Sequence, residues 1–193
     1  MYDRRMKSKQ LPKSFFDRPA EKVAPKLLGK YLLLKKGRHK FAGMITEVEA
    51  YTGQEDMACH ASHGETKRNK IMFGPPGRWY VYLCYGMHWM LNTITGPGKS
   101  PSAVLIRACL LVAETGEHLS GPGRVTKFFG ITKKFNGAKV SRVSGLWLED
   151  RGVSISPRKI NRTARIGVNY AGPKWAKKKL RWVVVCTSQS LRN

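Results

Sequence analysis

Four of the chain's twelve acidic residues, Glu47, Glu49, Glu55 and Asp56, fall within the ten residues EVEAYTGQED. Elsewhere the chain is strongly basic, with 36 Lys and Arg and a formal net charge of +24. Carboxylates gathered in such a background need a chemical reason. Strand alternation puts Glu47, Glu49 and Tyr51 on one face, where an ionised carboxylate can point into a pocket and take a proton from a reacting group. Glu49, at the end of a strand-like run and followed by AYTG, is the residue assigned that role. Glu47 and Glu55 are expected to pair with local Lys or Arg, and Asp56 to cap a turn.

A metal would be the competing chemistry, since CHASH offers Cys59, His60 and His63. A zinc nucleobase deaminase needs an H-x-E element followed by C-x-x-C, so that three ligands and a Glu converge on the ion. That pattern is absent, and no metal is expected. The four cysteines, Cys59, Cys84, Cys109 and Cys186, form no C-x-x-C pair, and with no secretion signal they read as reduced thiols. A third concentration is aromatic: GRWYVYLCYGMHWMLN holds Trp79, Tyr80, Tyr82, Tyr85 and Trp89. A core strand uses Tyr sparingly, because each buried phenol needs a hydrogen-bond partner. These rings are expected to face a ligand.

The elements that must position these groups are strands. Runs at 31–36, 41–51, 78–85, 89–95 and 102–111 read as strands spaced as a meander, not as alternating strand and helix. FDRPAEKVAPKLLGK reads as a helix with Asp17 as N-cap, Pro19 in the first turn, Pro25 shortening or kinking it and Gly29 as stop. The polar, Gly-rich segment of about 25 residues from Gly53 to Gly77 exceeds a structureless connection and is expected to be functional. SGPGRVTKFFG reads as a glycine turn feeding a short helix, with Arg124 and Lys127 near a phosphate seat.

At 193 residues the chain is read as one domain: a basic flexible tail over 1–14, the working domain over 15–187 and a short tail over 188–193. The positive charge points to a polyanion, and nucleic acid is the natural one, since neutralised phosphates release counterions. From Arg151 to the C-terminus there are 11 Lys or Arg and no acid, a candidate phosphate-facing strip. No apolar run reaches the roughly 20 residues of a spanning helix, so no membrane partner is expected. The cytoplasm of a bacterium, nucleoid-associated, or a eukaryotic nucleus is the expected location.

The run TEVEAYTGQEDMACHASHGETKRNKIMFGPPGRWYVYLCYGMHWMLN resembles the alkyladenine (3-methylpurine) DNA glycosylases of the mammalian type. It carries their E-A-Y-x-G, E-D-x-A-x-H, R-N-x-x-M-F, P-G-x-x-Y-V-Y and Y-G-M-x-x-x-x-N elements in order, and the likeness extends through VLIRA, SGPGRV, WLED and RIGVNYAGPKWAKKKLRW. The resemblance implies an α+β fold: one mixed domain with a curved antiparallel sheet, surrounding helices and a protruding β-hairpin that intercalates in DNA. It implies a monomeric, cofactor-free enzyme of base excision repair. Such an enzyme flips alkylated or deaminated purines out of double-stranded DNA and hydrolyses the N-glycosidic bond, leaving an abasic site.

Residue by residue, the resemblance makes Glu49 the general base on the attacking water, with Arg107 orienting it and the carbonyl of Ile166 completing the water site. Tyr82 lines the base pocket with Tyr51 and His60 opposite, and Asn92 at the rim excludes guanine's amino group. Tyr85 fills the hole left in the stack, supported by Met87. Arg68, Asn69, Arg124 and Lys127 go to the DNA backbone. The aromatic walls suit 3-methyladenine and 7-methylguanine, which are cationic; hypoxanthine and ethenoadenine would bind by stacking alone. Gln54 and Lys67 stand where Pro is common, and His88 and Trp89 follow the wedge, departures that bear on lesion preference. The rival readings are a non-catalytic DNA-distortion-binding protein, which would bind without releasing base, and a deaminase or RNA-processing enzyme, which would need a metal or an RNA-stacking platform.

Overall fold

A computed structural model describes residues 8–98, 100–112 and 116–185. Among the described residues ten strands make one sheet: β1 (Lys9–Gln10), β2 (Tyr31–Lys36), β3 (His39–Tyr51), β4 (Trp79–Cys84), β5 (His88–Thr95), β6 (Ser102–Leu111), β7 (His118–Ser120), β8 (Leu146–Asp150), β9 (Ile160–Thr163) and β10 (Arg181–Val184). The helices that accompany it among the described residues are short: α1 (Lys13–Phe16), α2 (Ala20–Leu27), α3 (Pro122–Phe129) and α4 (Gly172–Ala176). The strand order is β1-β8-β2-β3-β6-β5-β4, open at its ends, with every named pairing antiparallel. This is an α+β domain.

The meander holds in two pieces, β2–β3 and β4–β5–β6. Between them the 52–78 segment carries the chain across, so that β6 and not β4 lies beside β3. That segment is not structureless: it forms 3₁₀ turns at His60–His63 and Lys70–Phe73. β3, thirteen residues long, serves two neighbours along one edge, β2 against its first half and β10 against Glu47–Glu49. The carboxylates therefore sit on the central strand, walled by β6 and β10.

The main core is aliphatic and continuous. Leu27, Leu32, Ile45, Val48, Leu91, Ile106, Leu146 and Leu148 are all fully buried in it, each contributing roughly 1.5–3 kcal/mol of transfer free energy. Trp79 lies in this core with its indole N–H donating to the Leu146 carbonyl at 3.0 Å, which satisfies its one polar atom.

Several expectations need correction. The expected helix is α2, preceded by the separate turn α1, and Pro19, not Asp17, occupies its N-cap, with no side-chain capping bond. Proline suits that boundary because it has no N–H to leave unsatisfied. Pro25 lies inside α2, which ends two residues later at Leu27. Within the stretch read as a tail, Lys9–Gln10 pair with β8 and Leu11 is buried. Residues 1–7, Cys186 and the 188–193 tail lie outside the described residues.

Candidate active site

The sheet brings the carboxylates onto an arginine through a defect in its register. Opposite β3, the partners run Ile45↔Cys109, Glu47↔Ala108, Val48↔Ile106, so Thr46 and Arg107 are each left without a partner across the ladder. Bulges of this kind re-aim side chains. Arg107 Nε donates to Glu47 Oε1 at 2.8 Å, and its NH1 lies 3.4 Å from Glu49 Oε2. Glu47 is also 3.1 Å from Arg181 Nε. It is thus ion-paired, as expected, but to arginines of β6 and β10, which are distant in sequence.

Glu49 is fully buried. Its closest partners are neutral: Ile166 N–H donates to Oε1 at 2.8 Å and the Tyr51 hydroxyl to Oε2 at 2.9 Å. Burial raises its carboxyl above the ordinary value; Arg107, the Ile166 amide and the Tyr51 phenol pull the other way without cancelling that, and Glu47 adds to the rise. Burial would lower the Arg107 guanidinium, but Glu49 and Glu47 hold it charged and raised. A carboxylate of raised basicity, held by three groups, is what a general base requires. At Ile166 it is the amide that meets Glu49.

A second buried pair braces this arrangement. Arg165 NH1 and NH2 donate to Asp56 Oδ2 and Oδ1 at 2.6 and 2.8 Å, with both side chains wholly inaccessible. NH1 also donates to the Ala50 carbonyl at 3.0 Å, and the guanidinium lies 4.8 Å from the Tyr51 ring centroid. Asp56 does cap a turn, accepting from Thr52 N–H and Ala58 N–H. The same side chain thereby ties the 52–58 loop to the strand end and to Ile166, the neighbour of Arg165.

Beyond Tyr51 lies a cleft lined by Tyr51, Cys59, His60, Tyr80, Tyr82, Asn92 and Tyr170, among others. Tyr80 and Tyr82 share a face by strand alternation, at 5.2 Å between centroids. His60 Nδ1 is 2.9 Å from the Tyr80 hydroxyl, and its ring sits 4.6 Å from that of Tyr82. His60 therefore stands against Tyr82 and not across a slot from it. Burial first, then Arg68 and His63, lower His60 to about 4, so the ring is neutral at neutral pH and adds no charge against a cationic ligand. The cleft's enclosed part is about 40 Å³, room for a few waters. Asn92 is buried, deeper than a rim position, with Nδ2 donating to the Tyr80 carbonyl at 3.2 Å. Tyr170, mostly exposed, closes the mouth through its hydroxyl on the Ala58 carbonyl at 3.2 Å.

At the β4–β5 turn Tyr85 is 88% and Met87 70% exposed. Tyr85 has φ of +49°, and among the described residues no other non-glycine has a positive φ, a conformation that costs roughly 1–2 kcal/mol for an L-residue. Arg68 is exposed, donates to the Leu83 carbonyl at 3.0 Å and lies 5.1 Å over the Tyr82 ring. Asn69 is a correction: it is buried, its amide donating to the His60 and Gly64 carbonyls and its oxygen accepting from Thr66 N–H. It shapes the loop and has no reach to a phosphate. Arg124 and Lys127 are exposed on α3, which Gly121 and Gly130 cap at its two ends.

Sequence reasoning did not assign roles to Tyr80, Tyr170 or Arg165. Alternation with Tyr82 would have found Tyr80; Arg165 had no local signal among the cations around it. Among the described residues no three His, Cys, Asp or Glu side chains gather so as to hold an ion, and no helix is long and apolar enough to cross a membrane.

A family profile described as methylpurine-DNA glycosylase (MPG) matches residues 14–187. A protein of Methanocella arvoryzae is 44% identical, aligned over 84% of this chain and 86% of its own. One from Myxococcus xanthus is 43% identical over 90% and 89% of the two chains, and one from Legionella pneumophila 42% identical over 91% and 94%. Each of the three carries the name "Putative 3-methyladenine DNA glycosylase". With the buried carboxylate, the aromatic cleft and a match of this extent together, the chain belongs to the methylpurine-DNA glycosylase family and is a monofunctional hydrolase of N-glycosyl bonds in DNA.

Proposed function

We propose that this glycosylase removes 3-methyladenine and 7-methylguanine, and more slowly hypoxanthine and ethenoadenine, by flipping the nucleotide from duplex DNA into the cleft of Tyr51, His60, Tyr80, Tyr82 and Asn92. The observation that carries the reading is Glu49: a fully buried carboxylate of raised basicity, hydrogen-bonded to the tyrosine that walls an aromatic cleft.

In this mechanism Tyr85 on the β4–β5 hairpin enters the stack as the base leaves it, with Met87 beside it. Its strained exposed conformation supports that role, since strain of this kind gathers at functional sites. The duplex gives up stacking worth a few kcal/mol, and the electron-rich rings favour a cationic purine. Glu49 takes a proton from water as the water oxygen bonds to C1′. The C1′–N bond breaks, its electron pair staying with the purine. An N-alkylated purine leaves neutral without needing a proton, so one base suffices; a neutral purine must also gain a proton. Arg107 holds the carboxylate ionised, and the backbone of Ile166 orients the water. Asn92 crowds guanine's amino group. The enzyme acts as a monomer in the compartment that holds the DNA.

The test uses duplexes with one 7-methylguanine, one hypoxanthine or no lesion, scoring free base and alkali-labile sites for wild type and Glu49→Gln. Release lost in the variant while binding persists is expected. Tight binding by wild type with no base released from either lesion would leave a distortion-binding protein instead.

A further inference from the structure

We propose that the β2–β3 turn, Lys35-Lys36-Gly37-Arg38-His39-Lys40, is a second DNA-contacting element that grips phosphates on one flank of the lesion, joined to the Tyr85 tip by the cations of α3. The proposal rests on the assignment of duplex DNA as the substrate.

The sheet register puts the two turns together. Gly43 pairs with Leu111 and Tyr51 with Ala103; Asn92 pairs with Leu105 and Thr95 with Ser102; Cys84 pairs with His88. Hence the start of β3, the end of β6, the start of β5 and the end of β4 share one end of the sheet. The midpoints of the two turns are three strand spacings apart across the sheet, roughly 14 Å, and the register sets the tip level with Gly43, so the β2–β3 turn reaches roughly 18 Å further along the strands. The turns are thus roughly 23 Å apart, about seven base pairs of duplex rise.

Helix α3 spans the gap. Near its N-terminus Gly123 packs on the His88 ring, where a Cβ would come within 3.0 Å, and Thr126 Oγ1 donates to the Trp89 carbonyl at 2.8 Å. At its other end Phe128 meets Phe41 edge-on at 6.1 Å and Phe129 packs on Gly43. Arg124 and Lys127 face outward between these anchors. The cations of the tip region, the helix and the β2–β3 turn thus lie along one edge of the molecule.

The turn itself works against the fold. Residues 35–40 are all exposed, five of the six carry basic side chains, and none is acidic. Lys35 stands opposite Lys40, and like charges directly opposed across a ladder destabilise it. Gly37, at φ +61°, permits a two-residue turn that holds these charges on a stiff ribbon. A local rule broken in this way marks a functional site, and a polyanion turns the repulsion into attraction. Among the described residues of the connection leaving β6, Glu117 is an acid that shares this end.

The experiment compares Lys36→Gln/Arg38→Gln with Lys22→Gln/Lys26→Gln. The second pair removes the same charge from α2, whose approach bonds Gly96 at the far end of β5 through the Arg18 carbonyl. Binding is measured by anisotropy across a salt series, on a duplex with a central 7-methylguanine and on two duplexes cut short on one flank or the other. The turn variant should lose about 1.8 from the slope of log K against log salt, 0.9 for each phosphate released. It should weaken on the full duplex and on only one of the shortened ones, while the α2 variant keeps the wild-type slope. Equal slope changes in both variants, no change in either, or equal weakening on both shortened duplexes would overturn the proposal. Base release by wild type is scored alongside: its absence would sink the excision reading and leave the turn's result standing.

Discussion

Asp56 with Arg165 and Glu49 with Arg107 are both buried carboxylate–arginine pairs flanking Tyr51, and they are built in opposite ways. Asp56 and Arg165 meet in two close bonds at 2.6 and 2.8 Å, with backbone N–H groups filling the rest of the carboxylate. Glu49 stands 3.4 Å from an arginine whose close bond goes to Glu47, and burial leaves its carboxyl raised. Closely bonded charges resist proton transfer; a loosely held one remains available for it. The first pair holds loop, strand end and Ile166 together, and on the proposed mechanism that support keeps the second pair reactive.

Crossing one neutral substitution between the pairs tests the distinction most strongly. Glu49→Gln should reduce base release by about 10²–10⁴-fold, and it should also raise the melting temperature at neutral pH. The sign follows from the raised folded-state value: the folded protein binds that proton more tightly than the unfolded chain, so stability falls as pH rises from the ordinary carboxylate range through the raised value. Removing the charge recovers that stability, and the gain over wild type should vanish in acid, where Glu49 is protonated. Arg107 keeps Glu47 as its partner throughout. Asp56→Asn should do the reverse, costing about 3–5 kcal/mol in urea unfolding because it strands Arg165 in the interior. Equal stability effects from the two variants would erase the contrast.

The pH profile sharpens it further. In the proposed mechanism Glu49 acts ionised, so kcat/KM for 7-methylguanine should fall as pH drops through a value above the ordinary 4.5. His60, lowered to about 4, adds no limb near neutrality. Arg107→Gln removes a group that lowers Glu49 and should move the limb upward, whereas Asp56→Asn, measured where it is folded, should leave the limb in place. A limb that shifts equally in both would mean that the brace also tunes the base.

What the sequence disclosed divides along the same line. β2 and β6 were legible to the residue because their apolar runs have clear edges, and Glu49 with Tyr51 followed from alternation. The strand order was not legible, because nothing local says that the 52–78 segment carries the chain past β6. Nor was the brace: Asp56 and Arg165 are 109 residues apart, and each looks locally like a turn residue and a surface cation. Asn69 was misplaced for a similar reason. Beside Arg68 it reads as a backbone contact, and only the folded loop reveals that its amide is fully committed.

The smallest effect expected concerns the tip. Tyr85→Gly relieves a left-handed tyrosine, worth roughly 1–2 kcal/mol, against an unfolded-state entropy cost of about 0.5–1 kcal/mol for glycine. The side chain is 88% exposed, so little packing is lost. A net gain near 0.5 kcal/mol in urea unfolding is therefore expected, together with a fall of roughly tenfold in base release at subsaturating enzyme, since a stacked ring is worth about 1–3 kcal/mol. Stability and activity moving in opposite directions at a solvent-exposed residue would separate strain held for function from support given to the fold. If Tyr85→Gly instead lost stability, the tip would belong with the brace, and its exposed ring would need a structural explanation.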